Sequence, residues 1–190
     1  MPASEWDLTR RHLWFSVPLL AACAGGAGFY QILQRMQAGT YNSHALPSPL
    51  IGKHPPAFAL PGVAGEAGFS NLSLLHLSRP ILVNWFASWC ETCQQEAPLL
   101  QALAASGVAI WGIAYEDTPA ALASYLQRYS NPYQRLAADV TGLAAINWGV
   151  YGVPETYFID KTGLIRLRYA GPLRRDVIEH QLMPLFSRYS

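Results

Sequence analysis

A chain of 190 residues with a net charge of +1 and only 13% charged side chains has room for one domain of ordinary size. It has no basic block with which to hold a nucleic acid. Three cysteines, two of them three apart, are too few and too close to staple a secreted fold.

In chain order, the first feature is the stretch without charge from Leu13 to Leu33, long enough to match a bilayer. Arg10 and Arg11 precede it and Arg35 follows. The positive-inside rule then predicts residues 1–12 in the cytoplasm, a transmembrane anchor over 13–33, and export of everything after it. Leu20-Ala21-Ala22-Cys23 also has the form of a lipoprotein signal, which would leave Cys23 lipidated, and ordinary signal cleavage is a third reading. All three export the remainder.

Residues 34–56 contain Pro47, Pro49, Pro55 and Pro56 among Gly, Ser and Asn, and read as a linker to a domain over 57–190. Ile81 to Ala87 is an apolar run bounded by Pro80 and Ser88, the pattern of a strand buried on both faces. Cys90 opens a helix to about Ala105 in which Pro98 predicts a kink. Val108 to Tyr115 reads as a second buried strand. Thr118 and Pro119 suit an N-cap and a first helical residue, and Leu122, Tyr125, Leu126 and Tyr129 form one apolar face behind them. After a Gly-rich bend, Glu155 to Ile159 and Leu164 to Tyr169 are predicted as a hairpin turned by Asp160-Lys161-Thr162-Gly163. Alternation places Ile165, Leu167 and Tyr169 on one face and Arg166 and Arg168 on the other. A final helix spans about Leu173 to Arg188, with Val177, Ile178, Leu182, Leu185 and Phe186 on its apolar side. The predicted order is β-α-β-α-β-β-α, an α/β fold.

The chemistry lies in Trp89-Cys90-Glu91-Thr92-Cys93. Two cysteines three apart at a helix start lie on one face, within reach of a disulfide. The first meets the unpaired N–H groups of the helix N-terminus, which stabilise a thiolate, so Cys90 is the expected nucleophile and Cys93 the resolving sulfur. Half of a zinc site is the competing reading, for which no second C-x-x-C or His-rich partner exists in the sequence. A glutamate beside Cys90 opposes its ionisation, and no His or Lys stands inside the motif. Both features point to a couple more reducing than about −200 mV.

A strand leading into W-C-x-x-C and a helix interrupted at Pro98 resembles thioredoxin, and Gly152-Val153-Pro154-Glu155-Thr156 resembles its cis-proline loop. The resemblance implies a thioredoxin-like fold, a central mixed sheet with flanking helices, preceded here by one transmembrane helix. It also implies a cis Pro154 that sets the Val153 backbone beside the cysteines, where an extended peptide pairs as an added strand.

Ser48-Pro49-Leu50-Ile51-Gly52-Lys53, Asn84-Trp85-Phe86-Ala87-Ser88-Trp89-Cys90, Asn131-Pro132-Tyr133 and Trp148 to Thr156 carry a fuller resemblance, to the CcmG/DsbE family of membrane-tethered reductases of cytochrome c maturation. The family resemblance implies a periplasmic thiol:disulfide oxidoreductase at the inner membrane, single-pass, with no cofactor beyond its redox-active disulfide and no metal. Its implied client is apocytochrome c or a CcmH-like thiol carrier, and its implied donor a DsbD/CcdA-type membrane protein. Glu96 and Glu155 are placed near the disulfide as an acidic environment. Asn84 stands where thioredoxin keeps a buried aspartate, so proton transfer to Cys93 falls to Glu96 with Glu155. Trp89, Tyr115, Val153 and Pro154 are the implied substrate-binding residues. Glu91 replaces the family's usual proline, and Ala114-Tyr115-Glu116-Asp117 departs from its Asn-Tyr-Lys-Asp wording. Three rivals remain: a general exported thioredoxin-like reductase with other clients, a copper-binding chaperone using the thiols as soft ligands, and a purely binding role for apocytochrome segments that needs neither cysteine.

Overall fold

The structure is a computed structural model that describes residues 25–31, 34, 48–63 and 65–189. The chain divides into two compact units, Met1–His44 and Ala45–Ser190. In the first, residues 25–31 are helical. The remainder of the predicted anchor over 13–33, apart from these, lies outside the described residues, as does Cys23. No helix among the described residues is long and apolar enough to cross a membrane.

The second unit is built on a five-stranded sheet. Its strands are β3 (Ile81–Phe86), β4 (Ala109–Tyr115), β5 (Arg135–Asp139), β6 (Glu155–Ile159) and β7 (Ile165–Ala170), in the order β5-β4-β3-β6-β7. A small antiparallel pair, β1 (Ala59–Leu60) and β2 (Phe69–Ser70), comes first. The helices are α1 (Glu91–Ala105), α2 (Pro119–Tyr129), α3 (Leu143–Trp148) and α4, which runs as Arg175–Val177, a π-helical turn Ile178–Leu182, and Met183–Tyr189. β3 pairs with β4 in parallel and with β6 antiparallel, and every one of its residues is buried. That is why its sequence reads as an unbroken apolar run with Asn84 as its one polar member.

Strand alternation divides the core in two. Leu82 and Phe86 face one side with Phe158, and α1, α2 and α4 cover them through Leu100, Leu122, Tyr125, Val177 and Leu182. Val83 and Trp85 face the other with Tyr157, covered by α3 through Ala145 and Trp148 and by Phe69 of β2. Both sheet edges are closed. Ala138 N donates to Pro61 O along β5, while Gly52 N donates to Ile165 O and Ile165 N to Lys53 O along β7. Residues 52 and 53, read as linker from their composition, are thus docked on the sheet.

Three expectations are corrected. β5 and α3 occupy what reads in sequence as a Gly-rich bend, so the order is β-α-β-α-β-α-β-β-α after the β1–β2 pair. The cause of the misreading is local weakness: Arg135–Asp139 is Ala-rich with a charge at each end, and α3 is six residues between Gly142 and Gly149, both left-handed. Second, Ile165 does not share a face with Leu167 and Tyr169. Ile159 pairs Ile165 but Phe158 pairs Leu167, so Arg166 is an extra residue in a β-bulge and the facing inverts across it. Third, the last helix starts at Arg175, after a buried Leu173, and is broken by its π-helical turn.

Gly112 in β4 positions part of the interior that matters below. A Cβ there would lie 2.8 Å from both Leu136 Cδ1 and Tyr133 Cγ. Gly112→Ala is expected to lower stability by about 1–3 kcal/mol through overpacking. Denaturant melts of the two proteins check this, and equal midpoints would mean that the Tyr133 ring yields without cost.

Candidate active site

The parallel strands β3, β4 and β5 end at one edge of the sheet, and the loops that follow them build the site. Cys90 is the N-cap of α1, and its Sγ accepts from Cys93 N at 3.1 Å. One of the helix's otherwise unpaired donors therefore points at this sulfur. The two cysteines form a disulfide with a Cα–Cα separation of 5.2 Å. Cys93 has no exposed surface and Cys90 keeps 6%, so an incoming partner meets Cys90 first.

The loop before Cys90 is held from β4. Ser88 donates to the Asp117 carboxylate from N at 2.6 Å and from Oγ at 2.7 Å, and Gln94 Nε2 donates to Ser88 O. Asp117 also accepts from Thr118 N, just ahead of α2, where the Thr118 hydroxyl accepts from Ala121 N as the N-cap motif predicts. The turn delivering Asp117 passes through Glu116, whose φ of +45° is a left-handed conformation disfavoured for a side chain of its size. Trp89 is 58% exposed at the rim; its indole donates to Glu116 O and its ring faces Tyr115, which is half-buried. Across the disulfide, the Val153–Pro154 peptide bond is cis and Val153 O lies 3.5 Å from Cys90 Sγ.

Glu96 lies one turn past Cys93 on the buried face of α1, 2% exposed. Oε1 accepts from Asn84 Nδ2 at 3.1 Å, and Oε2 accepts from Leu173 N at 2.8 Å. Asn84 also donates to Thr156 Oγ1 and accepts from the Tyr133 hydroxyl at 2.8 Å. Desolvation pushes the Glu96 carboxyl from its ordinary 4.5 up to about 7, against the lowering effect of the bonds from Leu173 and Asn84. Burial likewise pushes the Tyr133 phenol well above its ordinary 10, so it remains a donor to Asn84. Behind the cysteines there is thus a connected polar network in an otherwise apolar core.

Glu155 is not part of it. In the β3–β6 register Asn84 faces Thr156, so Glu155 faces Trp85 on the opposite side of the sheet. There its carboxylate is bonded twice by Arg168, at 2.7 and 2.8 Å, and accepts from the Tyr157 hydroxyl and Tyr151 N. The expectation that Glu155 joins Glu96 as an acidic environment for the disulfide is corrected: the residue after the cis proline points away, and Arg168 neutralises it. Sequence reasoning also passed over Asp117 and Arg168 as site-building residues. The parity of Arg168 relative to Tyr157 would have paired it with Glu155, but only once the hairpin register was known.

Among the described residues no group of three or more His, Cys, Asp or Glu is placed to hold a metal ion. A C-x-x-C disulfide at a helix N-terminus beside a cis proline, on a mixed sheet with helices on both faces, defines a thioredoxin-like thiol:disulfide oxidoreductase. Comparison with known proteins narrows the class. Residues 51–168 match the AhpC/TSA family. The thiol:disulfide interchange protein HelX of Rhodobacter capsulatus is 38% identical over 175 residues, 92% of this chain and 96% of that one. The thiol:disulfide interchange protein DsbE of Escherichia coli K12 is 36% identical over 174 residues, 92% of this chain and 94% of that one. The solved structure of MTB dsbF, in mixed oxidised and reduced forms, superposes with a TM-score of 0.59 at 29% identity over 67% of this chain and 94% of its own. The chain belongs to the DsbE/HelX family of thiol:disulfide interchange proteins and, by its residues 51–168, to the AhpC/TSA family.

Proposed function

We propose that this oxidoreductase works as a reductant in the periplasm, held at the inner membrane by an N-terminal anchor over residues 13–33, with apocytochrome c or a CcmH-like thiol carrier as its client. The observation that carries the direction of attack is the asymmetry of the two sulfurs: Cys90 keeps a rim of exposure and an N–H donor, and Cys93 has no exposed surface. In the dithiol form the Cys90 thiolate attacks the client's disulfide; one client sulfur joins Cys90 and the other leaves as a thiolate that takes up a proton. Cys93 then attacks Cys90 Sγ, the second client sulfur leaves as a thiol, and the protein is left oxidised by two electrons. A membrane donor of the DsbD/CcdA type returns the two electrons by the same exchange in reverse.

Glu96 accepts the Cys93 proton in the resolving step, a role supported by its burial one turn away and a pKa near 7. The client's backbone pairs at Val153 beside the cis Pro154, with Trp89 and Tyr115 on the opposite rim. The names of the relatives, interchange proteins over nearly their full length, support the activity; client, donor and compartment are inferred from family resemblance.

Cys93→Ala tests this reading. Expressed in cells that make c-type cytochromes, the variant is expected to accumulate mixed disulfides with an apocytochrome c or its thiol carrier and with the membrane donor. Adducts with unrelated envelope proteins alone would replace the client, and no adducts would overturn the exchange mechanism.

A further inference from the structure

During exchange the negative charge develops on Cys90 Sγ, and several groups around that atom oppose it. Glu91 at the start of α1 and Glu116 on the loop after β4 are exposed carboxylates. Glu96 lies behind Cys93, Asp117 is bonded to Ser88 and Thr118, and burial holds the Tyr115 phenol neutral. Glu155 and Arg168 neutralise each other on the opposite face of the sheet. Val153 O, 3.5 Å from Sγ, can accept from a thiol but offers a thiolate nothing, so it favours the protonated form. Against these stand two donors. One is Cys93 N at 3.1 Å, the cap of the helix. The other is the hydroxyl of Thr92, whose Oγ1 lies 3.3 Å from Cys90 Sγ. A disulfide sulfur carries no hydrogen, so the hydroxyl is the donor in this contact.

We propose that Thr92 is a catalytic residue: its hydroxyl donates to the Cys90 thiolate and offsets the carboxylate of Glu91 beside it. This rests on the reading that Cys90 is the attacking sulfur. The contact joins residues two apart within the first turn of α1, so it does not depend on the S–S bond and persists in the dithiol form. Losing the donor has two consequences of opposite sign. The thiolate fraction at a given pH falls, and the thiolate that does form is more nucleophilic, because nucleophilicity rises with basicity. A hydrogen bond to an ionised acceptor at an exposed position corresponds to about one pH unit in the midpoint of ionisation. With a Brønsted slope of about 0.4–0.5, exchange becomes about threefold slower below the midpoint and about threefold faster above it.

The test compares the full-length wild type with Thr92→Val, which keeps the shape and loses the hydroxyl, and with Thr92→Ser, which keeps the hydroxyl. Thr92 is exposed, so neither change reaches the core. Thiolate absorbance is titrated as the difference between reduced and oxidised protein, and the rate with a small chromogenic disulfide is followed across the same pH range. Thr92→Val is expected to raise the lower midpoint by about one unit and to cross the wild-type rate profile, slower at low pH and faster at high pH. Thr92→Ser is expected to follow wild type. The crossing separates a donor from a structural prop, whose loss would slow exchange at every pH. An unmoved midpoint, a uniform fall across pH, or a serine variant that behaves like the valine one would overturn the proposal. Limiting iodoacetamide followed by mass mapping of the reduced wild type checks the reading beneath it. The label is expected on Cys90; a label on Cys93 would sink the assignment of the nucleophile, and the proposal with it.

Discussion

Cys90→Ser is expected to abolish exchange, lowering the rate by at least about a thousandfold, the scale on which loss of a nucleophile acts. Serine retains the N-cap geometry and can accept from Cys93 N, so the helix start survives while the thiolate does not. Cys93→Ser has a different effect, because Cys93 is enclosed and enters only at the resolving step. Stopped-flow reaction of the reduced proteins with a chromogenic disulfide separates the two. The Cys93 variant keeps the fast first phase and stalls as a stable adduct, whereas the Cys90 variant loses the fast phase. A fast phase surviving in Cys90→Ser would make Cys93 the attacking sulfur and reverse the assignment.

The second large effect is a pH dependence of stability that resides in Glu96. Its carboxyl is pushed from 4.5 to about 7 in the folded protein, chiefly by burial. The folded state therefore binds this proton more tightly than the unfolded state does. Between pH 4.5 and 7 the folded form holds more protons, so stability falls as pH rises through that window and the penalty is complete above it. The contribution is on the order of 3 kcal/mol between the two plateaus. Glu96→Gln keeps the volume and an oxygen for Leu173 N, and it removes the titration. Urea melts at pH 5 and pH 8 should show the variant gaining on wild type at the higher pH by up to that amount. The same variant should lose any inflection near pH 7 in the rate of the Cys93 step. A wild type–variant difference that is constant with pH would show that Glu96 stays ionised throughout.

Much of this site was legible from sequence because it is written in short-range patterns. Ile81 to Phe86 had to be a strand: seven apolar or enclosed residues between Pro80 and Ser88 leave a helix no room and a buried strand every reason. The C-x-x-C spacing and the N-cap position of Cys90 are likewise local, as is the Thr118-Pro119 start of α2. β5 and α3 were not legible. Five Ala-rich residues become a strand only through the edge of β4, and six become a helix only because Ala144, Ala145 and Trp148 have a core to enter.

The two glutamates show where the boundary falls. Glu96 follows Cys93 by one helical turn, and helical spacing alone brings it to the buried face behind the cysteines. What spacing could not show is its setting: Asn84 from β3 and Leu173 from the approach to α4, over seventy residues away, meet it only in the fold. Glu155 is adjacent to the cis proline in sequence, and the family resemblance implied a place near the sulfurs. Strand parity overrides adjacency, because neighbouring residues in β6 point to opposite faces.

By itself, then, the sequence determined the redox pair and the helix at its start, since each depends on spacing within a few residues, and its resemblance to thioredoxin implied the proline loop opposite. Only the tertiary structure decided which carboxylate lies buried behind the cysteines and which is locked to Arg168. That choice depends on the register between β3, β6 and β7, a long-range packing result that no local pattern encodes.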